Sequence, residues 1–418
     1  MSLELDRRLR NTGTKFRLHA QTPVMQAFTE PETVWVSSPA GSLRAGPADE
    51  RMYVVDAIDK TRYEDGSRLP YRGPRRPPAQ PGPNGHFDHL SPDDDAFRSA
   101  HIFGTVRRVL DIWEDYFGRT VPWHFSPLQE RLEIVPWLDW NNAHFGWGFM
   151  EAGHGKDDAK AERPFALNFD VLAHETGHGL IFSMVGVPEM HALTSEFRGF
   201  HESASDLVAL ISVLHFDSFI DHLLNETNGN LYVENELNRI GELSKTRQIR
   251  VASNALKMSD VPDPGRPPNS LTGKEIHQLG EPLTGALFDT LVGIYQMNLG
   301  DRGAISPKLA ADSSREGDQQ LGTGRLQDLF AAAYQKSPDS FRLALAEARD
   351  IIGLRLARTW DALIPNGLHF AKVAKTFLTV DRQISGWRHQ EEIVENFAWR
   401  EIGYGYPMRP SRDKKGEE

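Results

Sequence analysis

Phe169-Asp170-Val171-Leu172-Ala173-His174-Glu175-Thr176-Gly177-His178 places two histidines four residues apart, with a glutamate directly after the first. On a helix this spacing puts both imidazoles on one face, where they can share one zinc ion. Glu175 then projects to the side of the metal, positioned as a general base beside its nucleophile. A zinc site that hydrolyses needs three protein ligands and one open position, so a third ligand is expected on a neighbouring helix. Glu202 fits. It stands near the start of His201-Glu202-Ser203-Ala204-Ser205-Asp206-Leu207, which reads as a helix opening here and continuing through the apolar Val208, Leu210, Ile211 and Leu214. Asp206 follows Glu202 by four residues and shares its face, where it can accept a hydrogen bond from the second nitrogen of a ligating histidine.

The 418 residues suffice for a full core and for two or more domains. No cysteine occurs, so a metal must be held by histidine and carboxylate, and a reducing compartment is suited. A net charge of −11, with basic and acidic residues mixed, argues against a broad nucleic-acid or anionic-membrane surface. Residues 1–20 carry Arg7, Arg8, Arg10, Lys15 and Arg17 without an apolar run, which does not read as a secretory signal. A cytoplasmic location is the expectation, with non-classical export as the other route. No stretch approaches membrane-spanning length.

Residues 1–30 show no clear periodicity and read as a packed arm or a loose tail. Thr33–Val36 and Met52–Ile58, rich in branched and aromatic residues, read as strands of an antiparallel sheet. Six prolines between Pro70 and Gly85 predict an exposed loop. Ser91-Pro92-Asp93 starts a helix that ends at Gly118, with Phe103, Val106, Leu110, Trp113 and Phe117 as its core stripe. Leu132–Val135 alternates as a strand, and Trp137–Phe149 is an aromatic, glycine-containing stretch suited to extended backbone open to a ligand. A peptide added to such an edge would touch Asn142 and Ala143. His144 and His154 nearby receive no role. Glu189–Phe200 reads as a loop leading to Glu202, and Glu281-Pro282 as the start of a helix following His277. Pro282–Met297, Leu326–Lys336, Ser340–Trp360 and Leu368–Val380 are helical by pattern, separated at Gly300–Arg325 by a polar insertion.

Several separated motifs together resemble the thermolysin-like zinc metallopeptidases, of the gluzincin type: Asn141-Asn142-Ala143, Asp170 to Glu175, Glu202 with Ser205-Asp206, Met258-Ser259-Asp260, and His277, in that family's order. The resemblance covers about residues 90–300. It implies an α+β, two-lobed fold. Residues 1–190 would form a sheet-rich N-terminal lobe that includes the active-site helix, and 191–407 a helical C-terminal lobe; 408–418, by its charged composition, reads as a disordered tail. His174, His178 and Glu202 would hold zinc, Glu175 would be the base, and Asp206 would partner His174. Asn142 and Ala143 would bind the substrate backbone, and His277 would donate to the developing oxyanion.

The implied activity is zinc-dependent hydrolysis of peptide bonds in a peptide or protein substrate, by an endopeptidase of restricted specificity. Two alternatives stand beside it. Gly148-Phe149-Met150-Glu151-Ala152 approximates the G-x-M-E-N run of zinc aminopeptidases, in which the glutamate holds a free amine, with Ala152 in place of asparagine. A zinc-stabilised peptide-binding protein with little turnover is suggested by family residues that are missing. No tyrosine lies between His178 and Glu202, where His191 could substitute. Thr272 stands where an aspartate would orient His277, leaving Glu275 to serve, and Leu256 and Lys257 replace an arginine. Calcium is left uncertain, because Asp170 matches a ligand while Val213 replaces an acid.

Overall fold

The computed structural model describes residues 2–64, 69–156, 162–244, 247–313 and 323–403. The chain opens with helix α1 (Ser2–Thr12), which buries Leu5 and Leu9 from one face, so the N-terminus is a packed arm. Strands β1 (Gly13–Leu18) and β2 (Glu32–Pro39) pair antiparallel, and Phe16 stacks against Phe87 and Phe103 at centroid distances of 5.2 and 5.9 Å.

β3 (Met52–Val54) departs from the antiparallel expectation. It pairs in parallel with β4 (Leu132–Val135), and the cause is the connection: α2 (Asp95–Phe117) lies between them and makes a strand–helix–strand crossover. The N-cap of α2 is Asp94 rather than Ser91, and its C-cap is Gly118 at φ +70°. Its stripe is core as expected. Trp113 stacks on Trp360 at 4.7 Å and donates its indole N–H to Ser212 Oγ at 3.1 Å. Truncating either buried ring would cost about 3–5 kcal/mol.

The sheet is completed by β5 (Ala143–Phe145) and β6 (Phe149–Ala152) in the order β3-β4-β6-β5, with β5 antiparallel at the edge. A small hairpin, β7 (His154–Lys156) and β8 (Glu162–Pro164), leads into α3 (Phe169–Met184), capped by Asn168 accepting from the Val171 amide. Next come α4 (Ser195–Val213), α5 (Asp217–Thr227), a hairpin of β9 (Arg239–Ser244) and β10 (Arg247–Val251), and α6 (Gly273–Asp301). The helical part ends with α7 (Pro307–Asp312), α8 (Thr323–Lys336), α9 (Pro338–Ala362), α10 (Phe370–Ser385) and α11 (Gln390–Trp399).

The result is a two-lobed, thermolysin-like α+β arrangement: β1 to β8 lie between residues 13 and 164, helices dominate from 169 to 399, and α3 is at the junction. α4 begins at Ser195 with Thr194 as its cap, so it opens well before His201, and Glu202 lies inside it. α6 runs unbroken through Pro282, which only removes one main-chain bond, and His277 therefore lies within the helix rather than before it. Part of the Gly300–Arg325 insertion is helical in α7, and residues 314–322 lie outside the described residues, as does the 408–418 tail. Among the described residues no single helix is long and apolar enough to cross a membrane, although α4 and α5 pass that test as a pair bent by 93°.

Candidate metal centre

α3 and α4 approach each other closely because Gly177, inside the His-Glu-x-x-His run, has no side chain: a Cβ there would come within 2.8 Å of Ser205 Cα. On the other side of His178, a Cβ at Gly179 would meet the Phe145 ring at 2.5 Å. Two glycines thus let His178 be clamped between α4 and the edge strand.

The donor atoms of His174, Glu175 and His178 all lie within 4.8 Å of one another. Glu202 joins from α4, with Oε2 3.4 Å from His174 Nε2 and 2.9 Å from His277 Nε2. Asp206 Oδ1 lies 2.8 Å from His174 Nδ1, which leaves Nε2 directed at the cluster. His178 Nδ1 lies 3.0 Å from both His201 Nδ1 and Ser205 Oγ. Glu175 Oε2 accepts the main-chain N–H of Phe145 at 2.9 Å, tying α3 to β5.

The charges of the cluster are distinctive. Among the described residues no lysine or arginine pairs with Glu175 or Glu202. Burial pushes Glu175 up to about 7, reinforced by Glu202 and opposed by His174 and the Phe145 amide. At Glu202 burial acts upward, but His178, His174 and His277 outweigh it and hold the carboxyl well below its usual range. Burial also lowers His201 to about 4, so its imidazole is neutral at ordinary pH.

Zinc fits these residues. Imidazole and carboxylate donors 2.0–2.1 Å from a tetrahedral centre stand roughly 3.3 Å apart. The 3.4 Å between His174 Nε2 and Glu202 Oε2 matches that spacing. A buried set of imidazoles and carboxylates without its own ammonium or guanidinium also suits a bound cation.

Other residues singled out in the sequence lie elsewhere. Ala143 is buried in β5 and Asn142 is exposed, its carbonyl accepting from Gly153 across to the end of β6. His191 is in solvent, 82% exposed beside Glu189. Glu275 does not orient His277: as the third residue of α6 its carboxylate reaches back to the Thr272 N–H at 2.8 Å and binds Arg266 at 2.6 Å. The carbonyl of Leu256 is bonded by the buried Arg400, which also holds Asp289 at 2.8 Å. Asp170 accepts from Gln21 at 2.7 Å and lines a crevice with Val213, Glu236 and Arg239.

His144 and His201, neither given a role from sequence, both prove to be engaged. His144 Nε2 contacts Glu151 Oε2 at 2.7 Å. Glu151, fully buried, also pairs with Lys60 and accepts the Tyr63 N–H at 2.8 Å. His201 had one signal, its adjacency to Glu202 on a helix that packs on α3. His154 stacks on Trp137 at 4.2 Å, away from the cluster.

A buried His174-Glu175-His178 cluster, with acidic residues of the next helix paired to His174, is the arrangement of a zinc metallopeptidase active site. No protein-family model matches the chain, and no curated protein matches it. Among solved structures it is similar to the precursor of protealysin, a metalloproteinase from Serratia proteamaculans, at 15% identity over 81% of this chain and 84% of that one, with a TM-score of 0.47. Its functional reading therefore rests on the cluster itself.

Proposed function

We propose that this zinc-dependent peptide hydrolase is an endopeptidase of restricted specificity. The observation that carries the hydrolytic reading is the convergence of His174, Glu175 and His178 within 4.8 Å. His174, His178 and Glu202 would hold the zinc ion, which would supply Lewis-acid polarisation and acidify water. Asp206 keeps His174 in the tautomer that presents Nε2. Glu175 takes the proton of the attacking water and passes it to the leaving amine. Its Oε2, held by the Phe145 amide at 2.9 Å, fixes the carboxylate beside the cluster for both transfers. His277, 40% exposed, donates to the developing oxyanion from the first turns of α6. The substrate lies along β5 near Asn142 and Ala143, as an added strand.

Internal cleavage is favoured over removal of the first residue by the state of Glu151. An amine anchor needs an accessible carboxylate, whereas Glu151 is fully buried and engaged by Lys60, His144 and the Tyr63 amide. A library of mixed peptides, half with acetylated N-termini, tests the reading. Cleavage of acetylated peptides at internal bonds is expected. Cleavage confined to free N-termini would make the protein an aminopeptidase, and zinc binding without any cleavage would make it a binding protein.

A further inference from the structure

The two histidines of α3 are held in different ways. His174 Nδ1 faces the carboxylate of Asp206, whereas His178 Nδ1 faces a second imidazole, that of His201, with both Nδ1 atoms 3.0 Å apart. At such a distance one nitrogen carries the hydrogen and the other the lone pair. A metal-binding His178 must keep its Nε2 lone pair for the cluster, so its hydrogen is on Nδ1 and His201 Nδ1 is the acceptor. Ser205 points to the same assignment. Its hydroxyl donates to the His201 carbonyl at 2.9 Å, which leaves an oxygen lone pair toward His178 Nδ1 at 3.0 Å.

His201 is also fixed in place. Its ring centroid lies 4.6 Å from that of His178 with 22° between planes, 4.1 Å from that of Phe182 and 6.0 Å from that of Phe197. The ring is buried, and its Nε2 makes no hydrogen bond among the described residues. The close approach that Gly177 permits brings α4 near enough for this contact.

Resting on the zinc-hydrolase reading, we infer that His201 is a positioning residue for the metal: its Nδ1, with Ser205 Oγ, accepts the Nδ1 hydrogen of His178 and so fixes the tautomer and ring angle of that ligand. Partners of this kind contribute about 10–100-fold to metal affinity.

The test is the zinc dissociation constant of the full chain, from competition with a chromogenic chelator, alongside the melting temperature of the metal-free form. His201→Phe keeps the ring contacts with Phe182 and Phe197 and deletes the acceptor, so zinc should bind about 10–100-fold more weakly while the metal-free melt changes little. His201→Asn restores an acceptor and should recover most of that loss. If His201→Phe fails to fold, His201→Leu against His201→Asn, two side chains of similar size, makes the same comparison. Wild-type affinity in the Phe or Leu variant, or equal weakening in Leu and Asn, overturns the inference while leaving the hydrolase reading intact. Zinc binding by wild type without peptide cleavage removes the hydrolase reading and leaves His201 testable by affinity alone.

Discussion

Two buried clusters in this protein are built from the same kinds of side chain and differ in one ingredient. In the helical lobe Asp381 accepts from Arg355 Nε at 2.6 Å, contacts His389 Nδ1 at 2.9 Å and accepts from Ser385 Oγ at 3.0 Å. That carboxylate has its own guanidinium, and the group is closed. At the lobe junction Glu175 and Glu202 face His174, His178 and His277 with no arginine or lysine paired to them among the described residues. The second cluster suits a bound cation. In these two clusters a buried carboxylate and imidazole are read by what else is present: with an arginine they fasten two helices, and with neither arginine nor lysine they suit a metal ion.

The largest expected effect separates chemistry from metal holding. Glu175→Gln keeps the shape of the junction cluster and removes the base, so peptide cleavage should fall by about 10²- to 10⁴-fold. Zinc content, measured by elemental analysis, should stay unchanged. Loss of zinc in this variant would mean that Glu175 is a ligand rather than a base.

The closed cluster should respond in the opposite way. Asp381→Asn leaves the Arg355 guanidinium buried without a counter-charge and should destabilise the fold by about 3–5 kcal/mol in urea melts. Its zinc dissociation constant should match wild type. A stability change under about 1 kcal/mol would show that Arg355 finds another partner or water.

A smaller effect is expected from Asp206→Asn, which retains a hydrogen-bond acceptor for His174 but removes its charge. Zinc affinity should drop by about tenfold, toward the low end of the range for such partners. Unchanged affinity would reduce Asp206 to a structural contact.

An effect of similar size, in pH dependence, is confined to the closed cluster. Burial acts to raise Asp381, but His389 and Arg355 outweigh it and hold it down at about 2, against an ordinary 3.8. A depressed carboxyl contributes stability above its unfolded pKa and loses it as pH falls through its folded one, here between about pH 4 and about pH 2. That loss amounts to about 2 kcal/mol. Acid melts of wild type and Asp381→Asn should converge over this range, and parallel curves would assign the acid sensitivity to other groups.

The metal centre was largely legible in the sequence because its parts are local. His174 and His178, or Glu202 and Asp206, are each four residues apart, and a helix turns such spacing into a shared face. What escaped depended on how elements meet. β3 pairs parallel because α2 crosses over to β4, a fact of topology that the residues of Met52–Val54 do not encode. α4 begins at Ser195 although Arg198, Gly199 and His201 interrupt its apolar pattern, since Thr194 caps it and its first turns pack on α6. Pro282 suggested a helix start, yet packing against α4 and α9 carries α6 through it. The pairing of His201 with His178 spans 23 positions and exists only because α3 and α4 touch.

The bond from the Phe145 amide to Glu175 has a consequence for how a bound chain is measured out. Gly153 donates to Asn142 and Gly146 to Phe149 across β5 and β6, so the outward main-chain groups of β5 belong to Ala143 and Phe145. A strand laid on this edge meets the amide and carbonyl of Ala143. One step further, at Phe145, the amide is already held by Glu175 Oε2 at 2.9 Å. If a substrate pairs along this edge as proposed, that pairing gives way to Glu175 at a fixed count of residues, and β5 would work as a ruler whose last graduation is that carboxylate.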